Sequence, residues 1–185
     1  DYHWTEVKPG SVDVTFDIFE GDIAKVQEVR ILGAEAIPEK TLLKQMHHAK
    51  TNWLSWFSND DKYSREKWNA DLEILRSYYM DRGYIDMRIE SAQVSVTPDK
   101  KHIYLTIKVV EGPIYHVGGV RLKGKLPISE DKFTEALSPL KAGDIFSRQT
   151  VMDVKTSIEE VLGTEGYSFA EVQVIPEVDE AQHIM

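Results

Sequence analysis

The chain has 185 residues, no cysteine and a formal net charge of −9. An acidic surface repels phosphate backbones and no dense basic run offsets it, so nucleic acid is a poor partner. The missing thiols exclude disulfides and thiolate chemistry, no apolar stretch approaches the length that spans a bilayer, and the length admits one domain or two small ones.

Pro9-Gly10 is a turn signal, and Val12, Val14, Phe16 and Ile18 alternate with polar residues, the period of a half-buried strand. Residues 2–8 are the expected other arm of a hairpin. Residues 25–32 read as a strand ending at Gly33, and Pro38 suits the first turn of a helix over 39–46. An inserted loop carries Trp53, Leu54, Trp56 and Phe57. Ser64 is a natural N-cap with Glu66 in the first turn, and Trp68, Leu72, Leu75 and Tyr79 mark one face of a helix that Gly83 ends. Residues 85–96 are extended, Pro98 to Lys101 turn the chain, and Ile103, Leu105, Ile107 and Val109 alternate along a return strand.

The same order then returns. Residues 115–123 read as a strand, Ser129 caps a helix through Leu137, and Ser147 caps a second with Val151, Val154, Ile158 and Val161 or Leu162 inward. Gly166 ends that helix and 169–178 is the next strand, with no counterpart to the return strand at 103–110. The repetition is explicit. Glu20/Glu111, Gly21/Gly112, Ile23/Ile114, Val26/Val117, Val29/Val120, Arg30/Arg121 and Gly33/Gly124 match at an offset of 91, while Gly83-Tyr84 answers Gly166-Tyr167 at an offset of 83. The first unit is therefore eight residues longer between the two signatures, and the tryptophan loop is the place for them. Self-similarity of this kind means an array of like modules. The expected fold class is α+β: tandem β-α-α-β-β modules, each a three-stranded mixed sheet covered by two antiparallel helices. The expected division is a remnant strand or hairpin at 1–21, a module at 22–112 and a second, lacking its last strand, at 113–185. Gly112-Pro113 predicts a restricted hinge between them.

No catalytic cluster accompanies the repeat. Asp60-Asp61 and Glu159-Glu160 have no nucleophile or base at a repeating position, and no phosphate-cradling glycine loop occurs. The reading is a non-enzyme without cofactor. His47-His48 could suggest a metal, but neighbours on a helix point apart and no third ligand is in register. Gly83-Tyr84 and Gly166-Tyr167 are read as structural, and Arg30 and Arg121 as solvated strand positions.

Gly83-Tyr84, the run from Asp71 to Gly83 and the segment from Gln93 to Lys101 resemble POTRA modules, most closely the third of the five in the proteins that assemble outer-membrane β-barrels. The second unit resembles most of the fourth. That resemblance implies a periplasmic location in a Gram-negative outer-membrane protein. It implies binding of unfolded outer-membrane proteins, and contact with other barrel-assembly subunits through regions absent here. The alternative is the POTRA region of another outer-membrane transporter or secretion protein.

Three sites are expected. The edge strand carries Ile85, Asp86, Met87, Arg88, Ile89, Glu90, Ser91, Ala92, Gln93 and Val94, whose unpaired backbone could receive an extended peptide by β-augmentation. The plainer alternative is a solvated edge guarded by Asp86, Arg88 and Glu90. The turn after the first helix, with Met46, His48 and Ala49, resembles a docking site for an accessory lipoprotein of the BamB type. Trp53, Trp56 and Phe57 form either an apolar anchor or, as favoured, a lid folded on their own helices. The cut ends, finally, predict an edge-to-edge or strand-exchange dimer.

Overall fold

In the computed structural model residues 2–8, 11–16, 24–48, 63–124 and 127–185 are described. The alternating N-terminal residues form a hairpin, with β1 (Tyr2–Lys8) antiparallel to β2 (Ser11–Phe16). Val14 and Phe16 of β2 are exposed.

The next stretch builds a three-stranded sheet. β3 (Lys25–Leu32), β4 (Arg88–Val96) and β5 (His102–Val110) lie in the order β3-β5-β4. β5 is central, parallel to β3 and antiparallel to β4. Its alternation is the clearest in the chain because it is paired on both sides and covered on one: Ile103, Leu105, Ile107 and Val109 are buried. Two helices cover that face. α1 (Glu39–Leu43) packs beside β3, and α2 (Arg65–Met80) supplies Trp68, Leu75 and Tyr79 to the core. Burying each such side chain is worth roughly 1.5–3 kcal/mol. Ser64 caps α2 as expected, its hydroxyl accepting the Lys67 N–H. The far end closes with Gly83 in the left-handed region (φ 86°), its N–H on the Met80 carbonyl and the Tyr84 N–H on the Tyr79 carbonyl.

Two boundaries differ from the sequence reading. α1 stops at Leu43 and Pro38 stands before it with an extended ψ of 132°, because Gln45 and Met46 tighten into i→i−3 bonds that drive Met46 into the core. β4 begins at Arg88. The Gly83 carbonyl accepts the Ile85 N–H and the Tyr84 carbonyl accepts the Met87 N–H, so Ile85, Asp86 and Met87 form a turn that buries Met87.

In the second unit the Ser147-capped helix forms as expected, whereas the helix expected from Ser129 through Leu137 is reduced to two short turns and Ser129 makes no side-chain cap. A short 3-10 turn (Glu130–Phe133) runs into α3 (Thr134–Leu137), which packs on α4 (Arg148–Thr164). Phe133, Val154, Ile158 and Leu162 make its core, Ser147 accepts the Thr150 N–H, and Gly166 repeats the closure seen at Gly83. The two strands expected at 115–123 and 169–178 do not form. Phe169 and Ile175 are exposed, and His116 makes only isolated bridges, to Ile145 and Ile184. On one side residues 115–117 bond to 143–146, and on the other to residues 183–185. The His116 N–H reaches the His183 carbonyl (2.9 Å), the Met185 N–H the His116 carbonyl (2.9 Å) and the Gly118 N–H the Met185 carbonyl (2.7 Å). This is the parallel pairing of β3 with β5 in miniature, and His183-Ile184 answers His102-Ile103 in sequence. The central position expected to be empty is thus begun by residues 183–185.

Candidate functional site: a sheet edge, a helix–helix turn and the junction between units

β4 pairs with β5 alone, which leaves its other rim unpaired within the sheet. The pairing is interrupted once: Ile89 faces Val109 but Ser91 faces Lys108, so Glu90 is the extra residue of a bulge. The Glu90 carboxylate lies 2.7 Å from Lys108 Nζ, which holds the exposed carboxyl below its ordinary range. From residue 91 to 96 the ladder is unbroken. Ala92, Val94 and Val96 stand opposite the buried Ile107, Leu105 and Ile103, and residues directly opposite share a face, so all three lie on the helix-covered face. Val94 and Val96 are nonetheless exposed, 39% and 53%. The rim is thus an open backbone beside an apolar strip. Of the residues expected on this edge, Arg88, Ile89, Glu90, Ser91, Ala92, Gln93 and Val94 are on it, whereas Ile85, Asp86 and Met87 are not. Ser95 and Val96, at the end of the extended stretch, belong to it as well.

The turn after α1 is organised by a residue the sequence reading missed. Asp71 of α2 is fully buried. Its carboxylate accepts the backbone N–H groups of His47 (2.6 Å) and His48 (3.0 Å), and the Nδ1 atoms of both rings lie at 2.9 and 2.6 Å. An ionised carboxylate only accepts, so both rings carry a proton on Nδ1. Burial alone would raise this carboxyl. The bonds from His48, the two amides and His47 outweigh it and hold Asp71 below the usual carboxylate range. The two imidazoles therefore converge, because they lie past the end of α1 rather than on it. His48 is enclosed between Tyr63 and Trp68, with its Nε2 buried and without a hydrogen-bond partner. Met46 and His48, expected as docking contacts, are both buried, and the side chain this turn offers to solvent is His47. Ala49, Trp53, Trp56 and Phe57 lie outside the described residues. Asp71 was detectable: it sits between Trp68 and Leu75 on the apolar stripe, where a carboxylate must find donors.

At the junction Glu111 has a defined structural part. The Glu111 carboxylate accepts the N–H groups of Glu35 (3.0 Å), Ala36 (2.8 Å) and Ile37 (3.4 Å) and the Tyr79 hydroxyl (2.7 Å), tying the end of β5 to the loop before α1. Burial opposes this ionised state, and the donors prevail, holding Glu111 below its ordinary range. Burial, then the Glu111 bond, pushes the Tyr79 phenol up. Across the junction the Tyr115 N–H donates to the Gly83 carbonyl (2.8 Å) and its hydroxyl to Asp86 (2.8 Å), a bond that pushes the phenol up to about 12. Asp81, just past α2, accepts the Gln149 N–H (2.8 Å) in the first turn of α4. A Cβ on Gly83 would lie 2.9 Å from Ile114, Ile145 and the Tyr115 carbonyl. The units therefore meet through specific contacts beyond Gly112-Pro113.

A strand, two helices and an antiparallel pair closing a mixed sheet, with its helical signatures repeated in one chain, is the arrangement of POTRA modules. The family model for POTRA, the surface antigen variable number repeat, matches residues 24–112 and again 115–184, and the chain belongs to this family. Among curated proteins it is similar to the outer membrane protein assembly factor BamA of Neisseria meningitidis serogroup B, 26% identical over 172 residues, covering 93% of this chain and 22% of that protein. A putative outer membrane protein assembly factor of Treponema pallidum is 32% identical over 148 residues, covering 77% of the chain and 17% of its relative. The chain thus spans about a fifth of the length of these relatives. Among solved structures, Haemophilus influenzae BamA POTRA3-5 superposes with a TM-score of 0.69 at 27% identity, covering 88% of this chain and 63% of that one. BamA from Haemophilus ducreyi lacking POTRA domains 1-3 shares the fold, with a TM-score of 0.62 at 16% identity. No helix among the described residues is long and apolar enough to cross a membrane.

Proposed function

We propose that this chain is part of the periplasmic scaffold of an outer-membrane protein assembly factor, with successive POTRA modules at 22–112 and 113–185. It receives unfolded barrel proteins by strand addition at β4 and carries out no chemistry. The observation that carries this reading is the β4 rim: six residues of unbroken strand, paired on one side only, beside the exposed Val94 and Val96. Backbone hydrogen bonds supply affinity whatever the sequence of the incoming segment, and the apolar strip favours alternating strands such as barrels contain. The bulge at Glu90 sets the N-terminal limit of the docking run, in place of the earlier start at residue 85.

The turn after α1 is the proposed dock for an accessory lipoprotein of the BamB type. In this reading Asp71, His48 and Met46 hold the turn in shape from within, and His47 meets the partner. The strand-addition reading is tested by titrating the 15N-labelled chain with a peptide taken from a barrel strand. Shifts of the backbone amides of residues 91–96, kept when the peptide's residues are shuffled within its alternating pattern, are expected. Shifts elsewhere, or none at millimolar peptide, would overturn it.

A further inference from the structure

A three-stranded sheet has two rims, and the one on β3 differs from the one on β4 in one chemical respect. The Ile31 N–H of β3 donates to Oε1 of Glu39, the first residue of α1, at 2.8 Å. The Arg30 Nε lies 3.8 Å from the same oxygen, and its Nη1 donates to Glu28 at 3.1 Å. Ile31 faces Ile107 of β5 in register, yet its N–H goes to a side chain, so this amide belongs to the outward rim. On β4, no side chain among the described residues takes a backbone amide of residues 91–96.

We infer that Glu39 is a latch that closes the β3 rim to strand addition and so confines an extended, unfolded polypeptide to β4. The β4 half of this inference rests on the proposed function; the closure of β3 does not. The carboxylate acts twice. It occupies the donor that an incoming strand needs, in a charge-assisted bond that a neutral carbonyl replaces poorly. It also sets a negative charge where the carbonyl of that strand would sit, and charge at a rim is a general guard against edge pairing. α1 holds the carboxylate there by packing beside β3. Glu39 and Glu130 match at the offset of 91 that relates Arg30 to Arg121, but in the second unit Arg121 pairs with Glu177 instead, so the latch belongs to the first unit. Arg30, read from the sequence as merely solvated, thus has a partner at the rim.

The test compares the wild-type chain with Glu39→Ala, which removes the acceptor, and Glu39→Gln, which keeps a neutral one. Each is 15N-labelled, and its spectrum reports that the fold is kept. Two quantities are read: hydrogen exchange of the Ile31 amide, and line broadening by a barrel-strand peptide carrying a nitroxide. In Glu39→Ala, Ile31 exchange should quicken about tenfold, the loss of one hydrogen bond. The peptide should then broaden β3 around residues 30–32 as well as β4, and the stoichiometry should rise from one to two. Glu39→Gln, which keeps an acceptor but loses the charge, should fall between the wild type and Glu39→Ala both in Ile31 exchange and in peptide bound at β3. Unchanged Ile31 exchange in Glu39→Ala, no peptide at its β3 rim while β4 is occupied, or broadening of β3 already in the wild type, would each overturn the latch. A wild-type chain that binds peptide at neither rim would refute the proposed function and the confinement to β4, and the Ile31 exchange rates would still decide whether Glu39 holds the rim.

Discussion

Asp71→Ala removes the acceptor on which four donors converge. The His47 ring is half exposed and returns to water, so the loss falls on the buried His48 amide and ring and on the part-buried His47 amide. A buried donor left without a partner costs about 1–3 kcal/mol, and removing one member of a buried polar network costs about 3–5 kcal/mol, which sets the expected destabilisation. Domain stabilities are about 5–15 kcal/mol, so about a fifth or more of the first unit's stability would go. Urea unfolding followed by tryptophan fluorescence reads it as a fall in midpoint at constant slope. Asp71→Asn keeps one acceptor oxygen and should lose less. The pH dependence has a fixed sign. Asp71 is held below its ordinary value in the folded chain, so the unfolded chain binds the proton more readily. Its contribution is complete above about pH 4, the unfolded carboxyl's range, and is lost as pH falls through the folded value. The gap between wild type and Asp71→Ala should narrow over that acid range. A loss below about 1 kcal/mol at neutral pH would refute the idea that this carboxylate organises the turn.

Further outcomes follow from the junction. Gly83→Ala places a Cβ 2.9 Å from three atoms at a φ of 86°; it should cost about 1–3 kcal/mol in thermal unfolding. Glu111→Gln should cost about 1–2 kcal/mol and speed exchange of the Ala36 amide most, that being its shortest amide contact. Tyr115→Phe breaks the bond to Asp86; residual dipolar couplings should show the two units losing their fixed orientation, and a spectrophotometric titration should lose a phenol that ionises near pH 12.

Much of this was legible beforehand. Period and caps locate β3, α2, β5 and α4, because each is governed by local rules: Ser64 and Ser147 at N-termini, Gly83 and Gly166 at C-termini, alternation in the strand paired on both sides. What escaped depends on partners distant in sequence. Residues 115–123 have the composition of a strand but make only isolated bridges, to Ile145 and Ile184, and the turn at Ile85 to Met87 is tied to Tyr115, in the other unit. Met46 and His48 looked like surface because a turn's inward side chains cannot be told from its outward ones without knowing that Asp71 sits below. The role of Glu39 was invisible for the same reason: nothing local links the first residue of a helix to an amide eight positions earlier.

The most direct measurement of strand addition is an isotope-filtered NOE experiment on the labelled chain with an unlabelled barrel-strand peptide. Cross-strand contacts between peptide backbone protons and those of residues 91–96, in one register or a ladder of registers two residues apart, are the predicted result. Contacts limited to side chains, or to the helical face alone, would contradict a scaffold that captures its substrates by extending β4.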